Sequence, residues 1–264
     1  MLVAQISDLH ISRDSGFLAG RVDPLLCLER AVAHLNRLVP RPDVLLISGD
    51  LTEHGGADEY ARILELLSAL QMPAYAVPGN HDSAAMMRDC LPLQVPAREP
   101  GHASFVIEGA GLRIVGLDTS VEGKAYGALC ADRLEWLEHA LAGRSGGPAL
   151  VFMHHPPFDT GIEAMDRCGL LHGRERFGEI IQSHGAVAGV VCGHVHRPIQ
   201  TTLGGVPVHV ASSVAHQIAL DLNRDARLAY CLEPGRVSLH RCLPGVPMVS
   251  HSSYIRDFPG PFEF

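Results

Sequence analysis

Short apolar runs recur along the chain, and five of them stop at residues that carry chemistry. Leu2 to Ser7, Ala74 to Val77, Ala149 to Met153 and Val187 to Cys192 read as strands, and Asp43 to Ser48 has the continuous apolar pattern of a strand buried on both faces. Between the first and second runs, Asp23 and Pro24 form a helix start, an N-cap followed by a proline at the first helical position. Leu25, Leu28, Val32 and Leu35 then recur at spacings of three and four, a face that packs on a sheet. Strand, helix and strand make a βαβ unit whose right-handed crossover leaves both strands parallel, with their carboxyl ends on one edge.

The same periodicity predicts a helix from Asp58 to Leu70 and another over 131–142, with Leu134, Leu137 and Leu141 on its apolar face and Trp136 at the core or its rim. Residues 83–102 read as a helix and a Pro-rich loop. Ser104 to Glu108 and Leu112 to Leu117, around Gly109-Ala110-Gly111, read as a β-hairpin. Two further strand pairs are expected beyond residue 196: Ile199 to Leu203 with Val206 to Ala211, and Ala226 to Glu233 with Arg236 to Cys242 around Pro234-Gly235. No crossover helix separates these strands, so that half is expected to be antiparallel. No repeat or linker divides the chain, which predicts one domain over 1–264. Its tail, 243–264, is rich in aromatics (Phe258, Phe262, Phe264) and is expected to pack on the body or at a subunit interface.

Composition narrows the function classes. With 264 residues and 47% hydrophobic content, the chain can bury a sizeable core. A formal charge of −8 provides no general basic surface, so neither a nucleic acid polymer nor an anionic membrane is an expected partner, and small substrates are favoured. The first residues have no basic region and soon meet Asp8, as a strand would and a signal peptide would not; no run is long enough for a membrane span. Seven cysteines without any Cys-x-x-Cys spacing read as reduced and mostly buried, which predicts a cytoplasmic protein. The anomaly is sixteen histidines.

Six of those histidines lie at the ends of the apolar runs. The first run delivers Asp8-x-His10, the second Gly49-Asp50, the third Gly79-Asn80-His81-Asp82, the fourth His154-His155-Pro156-Pro157 and the fifth Gly193-His194-Val195-His196. Taken singly, each has a plain structural explanation: a capping Asp beside a surface His, an Asx turn, a solvated and a packed histidine. Glu53 reads as support for its turn, Asp118 as a turn or capping residue, and His34, His139 and His184 as surface residues. Ligand-type residues arriving at one edge of a sheet favour a shared site, because that edge is where open α/β sheets bind ligands.

In order and spacing the five motifs resemble the calcineurin-like metallophosphoesterases over roughly residues 2–212, and within them the bacterial phosphodiesterases that include glycerophosphodiesterases and class III cyclic-nucleotide phosphodiesterases. Gly49-Asp50-Leu51-Thr52-Glu53 lacks the Asp-Arg-Gly continuation of the Ser/Thr protein phosphatases, and Asp82 stands where they carry Glu. The resemblance implies an α/β fold, a four-layer α/β/β/α sandwich. It implies that Asp8, His10, Asp50 and His196 hold one metal ion and Asp50, Asn80, His154 and His194 a second, with Asp50 bridging. Asn80 and His81 would face the substrate, His81 off the metals and at the leaving oxygen, and His155 would lie behind the ligands. Ser212-Ser213-Val214-Ala215-His216-Gln217 resembles the segment after the last motif in related phosphodiesterases, which puts His216 at the substrate pocket. A homo-oligomer is a family-level expectation.

Oxygen and imidazole donors without thiolate suit Mn, Fe, Zn or Co. Two ions sharing a carboxylate stand about 3.5–4 Å apart, and a metal-bound hydroxide could attack phosphorus between them. Two divalent ions set against Asp8, Asp50 and a hydroxide leave one positive charge, which a phosphodiester monoanion neutralises and a monoester dianion exceeds; a trivalent iron reverses that count. The expected function is therefore hydrolysis of small phosphodiesters, with Asp50 and His81 as catalytic residues. A phosphomonoesterase or nucleotidase is the alternative enzyme, and a non-catalytic scaffold the alternative class.

Overall fold

The computed structural model describes residues 1–13, 17–97, 101–109, 111–142 and 147–263. Its first half runs β1 (Leu2–Ile6), a 3-10 turn (Phe17–Gly20), α1 (Pro24–Arg37), β2 (Val44–Ile47), α2 (Ala57–Leu67), β3 (Ala74–Ala76), α3 (Ala84–Cys90), β4 (Phe105–Gly109), β5 (Leu112–Leu117), β6 (Gly127–Ala128) and α4 (Ala131–Ala142). There follow β7 (Ala149–Met153), α5 (Glu163–Asp166), β8 (Leu170–His172), α6 (Arg174–Ser183), β9 (Val187–Cys192), β10 (Ile199–Leu203), β11 (Val206–Val210), β12 (Gln217–Ile218), β13 (Tyr230–Cys231), β14 (Arg236–Arg241) and β15 (Val249–Tyr254).

Two sheets carry the fold. One has the order β15-β14-β1-β2-β3, the other β10-β11-β9-β7-β5-β4. In the first, β1, β2 and β3 are parallel and β14 returns antiparallel to β1; in the second, β5, β7, β9 and β11 are parallel. The side-chain alternation of β7 shows how the sheets stack. Leu150 and Phe152 point into the core shared with the first sheet, whereas Val151 and Met153 pack with Leu137, Phe177 and Ile181 of α4 and α6. On the far side of the first sheet, Leu28, Val32 and Leu35 of α1 and Ile63 of α2 are buried against it. Helix, sheet, sheet, helix is the expected four-layer sandwich.

Local signals in the first helix act as read: Asp23 accepts from the Leu26 amide at 3.1 Å and Pro24 opens α1. Three expectations fail. Ala226 to Glu233 does not pair with Arg236 to Cys242; Tyr230–Cys231 pairs with Gln217–Ile218, and β14 is drawn away to β1, where Val237 is fully buried. Nor is the region after residue 196 wholly antiparallel, since β11 returns parallel to β9. His34 and His184 are half-buried rather than on the surface, and His34 is bonded to Ser253. The segment Val249–Tyr254 adds an edge strand to the first sheet, while Phe258 and Phe262 stay exposed; Phe264 lies outside the described residues, as does Ala110 of the β4–β5 turn.

Candidate metal centre

The parallel register of β1 and β2 continues past the strands themselves. The amides of Asp8, His10 and Ile11 donate to the carbonyls of Gly49, Asp50 and Leu51, each at 3.0 Å, so the first two motifs lie alongside each other. This continuation is not the regular strand that would point Asp8 and His10 the same way. Asp8, His10, Asp50, His194 and His196 all have positive φ, between 48° and 72°. A conformation rare for residues with a Cβ, found at five residues of three motifs, is strain of the kind retained at functional sites.

Glycines in these turns are required by close approach. A Cβ on Gly193 would stand 2.0 Å from Ser7 Oγ and 3.0 Å from Asp8 Oδ2, and one on Gly79 would stand 2.2 Å from Asp50 Oδ1. Asp82 laces the second and third motifs together: it accepts from the amides of Leu51, Thr52 and Gly79 and from the hydroxyls of Thr52 and Tyr60. Burial and the nearby Asp50 charge push its carboxyl up.

Asp8, His10, Asp50 and His196 are brought together, buried, with donor atoms within 4.8 Å of one another. The hydrogen bonds fix which atoms those are. His10 Nδ1 lies 2.7 Å from Glu53 Oε2, and His196 Nδ1 lies 3.1 Å from the His216 carbonyl. Both partners accept, so in a neutral ring the proton sits on Nδ1 and Nε2 carries a lone pair. The two Nε2 atoms then face each other at 3.1 Å, with Asp8 Oδ1 3.3 Å from His196 Nε2 and Asp50 Oδ2 3.8 Å from His10 Nε2. Lone pairs crowded in a buried space repel unless a cation stands among them, so the donor set fits a metal ion.

A second set adjoins it. His154 Nδ1 is held by the Ser48 carbonyl at 2.7 Å, and its Nε2 lies 3.4 Å from Asp50 Oδ2 and 3.2 Å from Asn80 Oδ1. His194 stands beside His154, its ring centroid 5.1 Å away, and its amide donates to both oxygens of Asp8 at 3.1 Å. By nitrogen spacing His154 and His194 group with His155. The His155 ring is committed elsewhere, Nδ1 to Thr119 Oγ1 at 2.8 Å and Nε2 to the Ala125 carbonyl at 3.3 Å, which makes it a packed residue. Asp118 likewise serves structure, accepting from the Ala103 and Ser120 amides.

The charges answer to this arrangement. Burial opposes ionisation of Asp8, but the imidazoles of His196 and His154 outweigh it and bring its carboxyl down to about 2; Asp50 is likewise held well below its ordinary value, against burial, chiefly by His154. Burial pushes His194 down to about 3, whereas in His154 the carboxylate of Asp50 overcomes burial and raises it to about 9.

His81 sits at the rim, its side chain 36% exposed, with its amide on Asp50 Oδ1 at 2.9 Å and its Nδ1 3.1 Å from the Glu53 carbonyl. Burial lowers its pKa, but Asp50 and Glu53 more than compensate and the net shift is upward. His216 is buried with its ring 4.6 Å from that of His196, and burial and the neighbouring imidazoles bring it down to about 2. Sequence reasoning undervalued Glu53. It is more than a turn residue: its carboxylate holds His10 and stands 3.6 Å from His81 Nδ1. Cys168, whose Sγ lies 3.5 Å from His194 Nε2, gave no signal in the sequence.

The model of the calcineurin-like phosphoesterase family matches residues 1–198. The chain belongs to the calcineurin-like phosphoesterase family. Members of this family use divalent metal ions, in keeping with the donor groups above. It is 39% identical over its whole length to the probable glycerophosphodiester phosphodiesterase GpdQ of Arcobacter nitrofigilis, of which it covers 97%. A probable cyclic nucleotide phosphodiesterase of Rhodopseudomonas palustris is 34% identical over 90% of each chain. Among solved structures, a dimetal phosphatase from Danio rerio superposes with a TM-score of 0.67 over 95% of this chain and 98% of its own, at 15% identity, a likeness of fold. Among the described residues of this phosphoesterase, no helix is long and apolar enough to cross a membrane.

Proposed function

We propose that the protein is a binuclear metal-dependent phosphodiesterase that hydrolyses small phosphodiesters, cyclic nucleotides or glycerophosphodiesters among them. Asp8, His10, Asp50 and His196 hold one ion, and Asp50, Asn80, His154 and His194 the other. The observation that carries this reading is the position of Asp50. Its Oδ2 stands between the two imidazole sets, 3.8 Å from His10 Nε2 and 3.4 Å from His154 Nε2, where a bridging carboxylate belongs. The full-length likeness to a probable glycerophosphodiester phosphodiesterase supports the diester class.

When bound, a pair of divalent ions supplies positive charge for the phosphoryl oxygens and activates water. The protein's own groups do the rest. Asp8 and Asp50 contribute two negative charges to the site, which favours a monoanionic diester over a dianionic monoester. Asn80 and His81 face the substrate from one turn. His81, with Nδ1 held by the Glu53 carbonyl and its pKa raised, keeps a proton for the leaving alkoxide. His216 packs on His196 at the pocket wall. Nitrogen and oxygen donors suit Mn, Fe, Zn or Co, and seven free cysteines support a reducing, cytoplasmic setting.

The test loads chelated enzyme with each of these metals and compares bis-p-nitrophenyl phosphate, p-nitrophenyl phosphate, cyclic AMP and glycerophosphoethanolamine. Diesters are expected to turn over faster than the monoester; enzyme that binds two ions yet leaves every diester intact sinks the reading.

A further inference from the structure

Gln5 is the one polar residue of β1, and it is fully buried. Its amide nitrogen lies 2.8 Å from Ser48 Oγ and 2.8 Å from the Cys192 carbonyl. A carbonyl only accepts, so the NH2 group must face this way and Oε1 must face His240 Nε2, 3.0 Å off. The amide oxygen only accepts in its turn, which puts the His240 proton on Nε2 and leaves Nδ1 to accept from the Ser250 hydroxyl at 2.8 Å. One side chain thereby joins β1 to the end of β2, the end of β9 and the strand β14.

Two of these bonds reach the metal-bearing turns. Ser48 leads into Gly49-Asp50, and its carbonyl accepts from His154 Nδ1 at 2.7 Å and from Ser7 Oγ at 3.2 Å. Cys192 leads into Gly193-His194, and the Gly193 amide donates to the His154 carbonyl at 3.0 Å. Strand β2 belongs to one sheet and β9 to the other. Sheets joined only by apolar contact can slide by small amounts, whereas an amide bonded to both strand ends sets their separation at this edge.

We propose that Gln5 is a positioning residue of the metal centre, clamping the end of β2 to the end of β9 so that Asp50 and the histidines His154, His194 and His196 stand at ion-binding distance. This rests on the metal-centre reading above. Outer partners of ligands orient them and tune affinity; Gln5 acts one step further back, on the backbone from which the ligands project. An amide present only to fill the core would affect folding and leave the affinity of folded protein alone.

The test uses Gln5→Met, which keeps the length of the side chain and removes both of its hydrogen-bonding ends, and Ser48→Ala, which removes only the hydroxyl. Chelated proteins are titrated with Mn2+ by calorimetry, and the unfolding of the same chelated proteins in urea is followed separately. Gln5→Met is expected to weaken Mn2+ binding about 10–100-fold, with a smaller loss for Ser48→Ala, and excess Mn2+ should restore much of the lost turnover. Wild-type affinity in a folded Gln5→Met protein, whatever its urea midpoint, overturns the positioning role. If Gln5→Met does not fold, Ser48→Ala decides by the same criterion. Wild-type enzyme that binds none of Mn2+, Co2+ or Zn2+ in the same titration brings down the metal-centre reading and this proposal together, an outcome distinct from two ions bound equally well by wild type and variant.

Discussion

His10 Nε2 and His196 Nε2 stand 3.1 Å apart although Nδ1 of each ring is already bonded, one to Glu53 and the other to the His216 carbonyl. With both rings neutral, two facing acceptors stand beside two ionised carboxylates, a donor set that a cation completes, so an ion should stabilise the whole protein. At a free metal concentration of 100 times Kd the linkage contributes about 2.7 kcal/mol, equivalent to about 5–10 °C in Tm for a chain of this size. Thermal melts of chelated protein with and without Mn2+, Co2+ or Zn2+ measure this. No upward shift with any of them counts against a metal centre here.

Asp50 is the residue on which both donor sets depend. Replacing it by alanine removes the shared carboxylate and the acceptor of the His81 amide. The expected result is loss of binuclear binding, read as ions per chain by elemental analysis, and loss of diester turnover. A variant that retains two ions contradicts the bridge.

His81 lies against this site without belonging to either proposed ion's set. Its replacement by alanine should lower kcat about 10²–10⁴-fold while ions per chain stay at the wild-type number. Unchanged turnover removes it from proton transfer. Glu53→Gln keeps the Glu53 carbonyl on His81 but removes the carboxylate charge beside both His10 and His81. It should therefore weaken metal binding and, at saturating metal, shift the limb of the kcat profile that His81 sets to lower pH.

The five motifs were legible because each breaks a strongly apolar run, and the loss of periodicity is a local signal. The βαβ opening and the cap of α1 were local too. Long-range pairing was not. Glu53 follows Asp50 by three positions, yet its strongest partner is His10, 43 residues earlier, and nothing near Glu53 in the chain shows that. Gln5 reads as a stray polar residue until Ser48, Cys192 and His240 arrive from 43, 187 and 235 residues away. The positive φ of Asp8, His10 and Asp50 was equally hidden, since only the neighbouring turn compels it. The pairing of β14 failed for a related reason: a Pro-Gly between two strand-like runs signals a hairpin, and the buried edge of β1 outcompeted it.

Gly79→Ala tests the tightness of the third motif. The added methyl would fall 2.2 Å from Asp50 Oδ1 and 2.4 Å from the Asp50 amide, and the φ of Gly79 itself requires no glycine. The strain is therefore steric and directed at the bridging carboxylate. Mn2+ affinity should fall sharply; wild-type affinity would mean that Asp50 can move aside without consequence.

His209 gives a pH dependence that does not involve the ions. It is buried between the sheets, its Nε2 2.8 Å from Ser238 Oγ and its ring centroid 5.0 Å from that of His240, and burial brings it down from 6.5 to about 4. Unfolded, it takes up a proton near pH 6.5; folded, it does not until about pH 4. The unfolded state therefore binds more protons across that window, and stability falls as the pH is lowered through it. One proton corresponds to a slope of about 1.4 kcal/mol per pH unit. Urea unfolding of chelated protein at pH 7.5, 6 and 5 should show a shallower loss for His209→Gln than for wild type, by up to that amount. His194 and His216 are also held neutral by burial and steepen the slope in both proteins alike. His240 is held neutral by burial and in part by His209 beside it, so the difference between the two proteins reports His209 together with its effect on His240. Parallel curves would show that His209 is protonated in the folded protein, or that its burial is relieved by water.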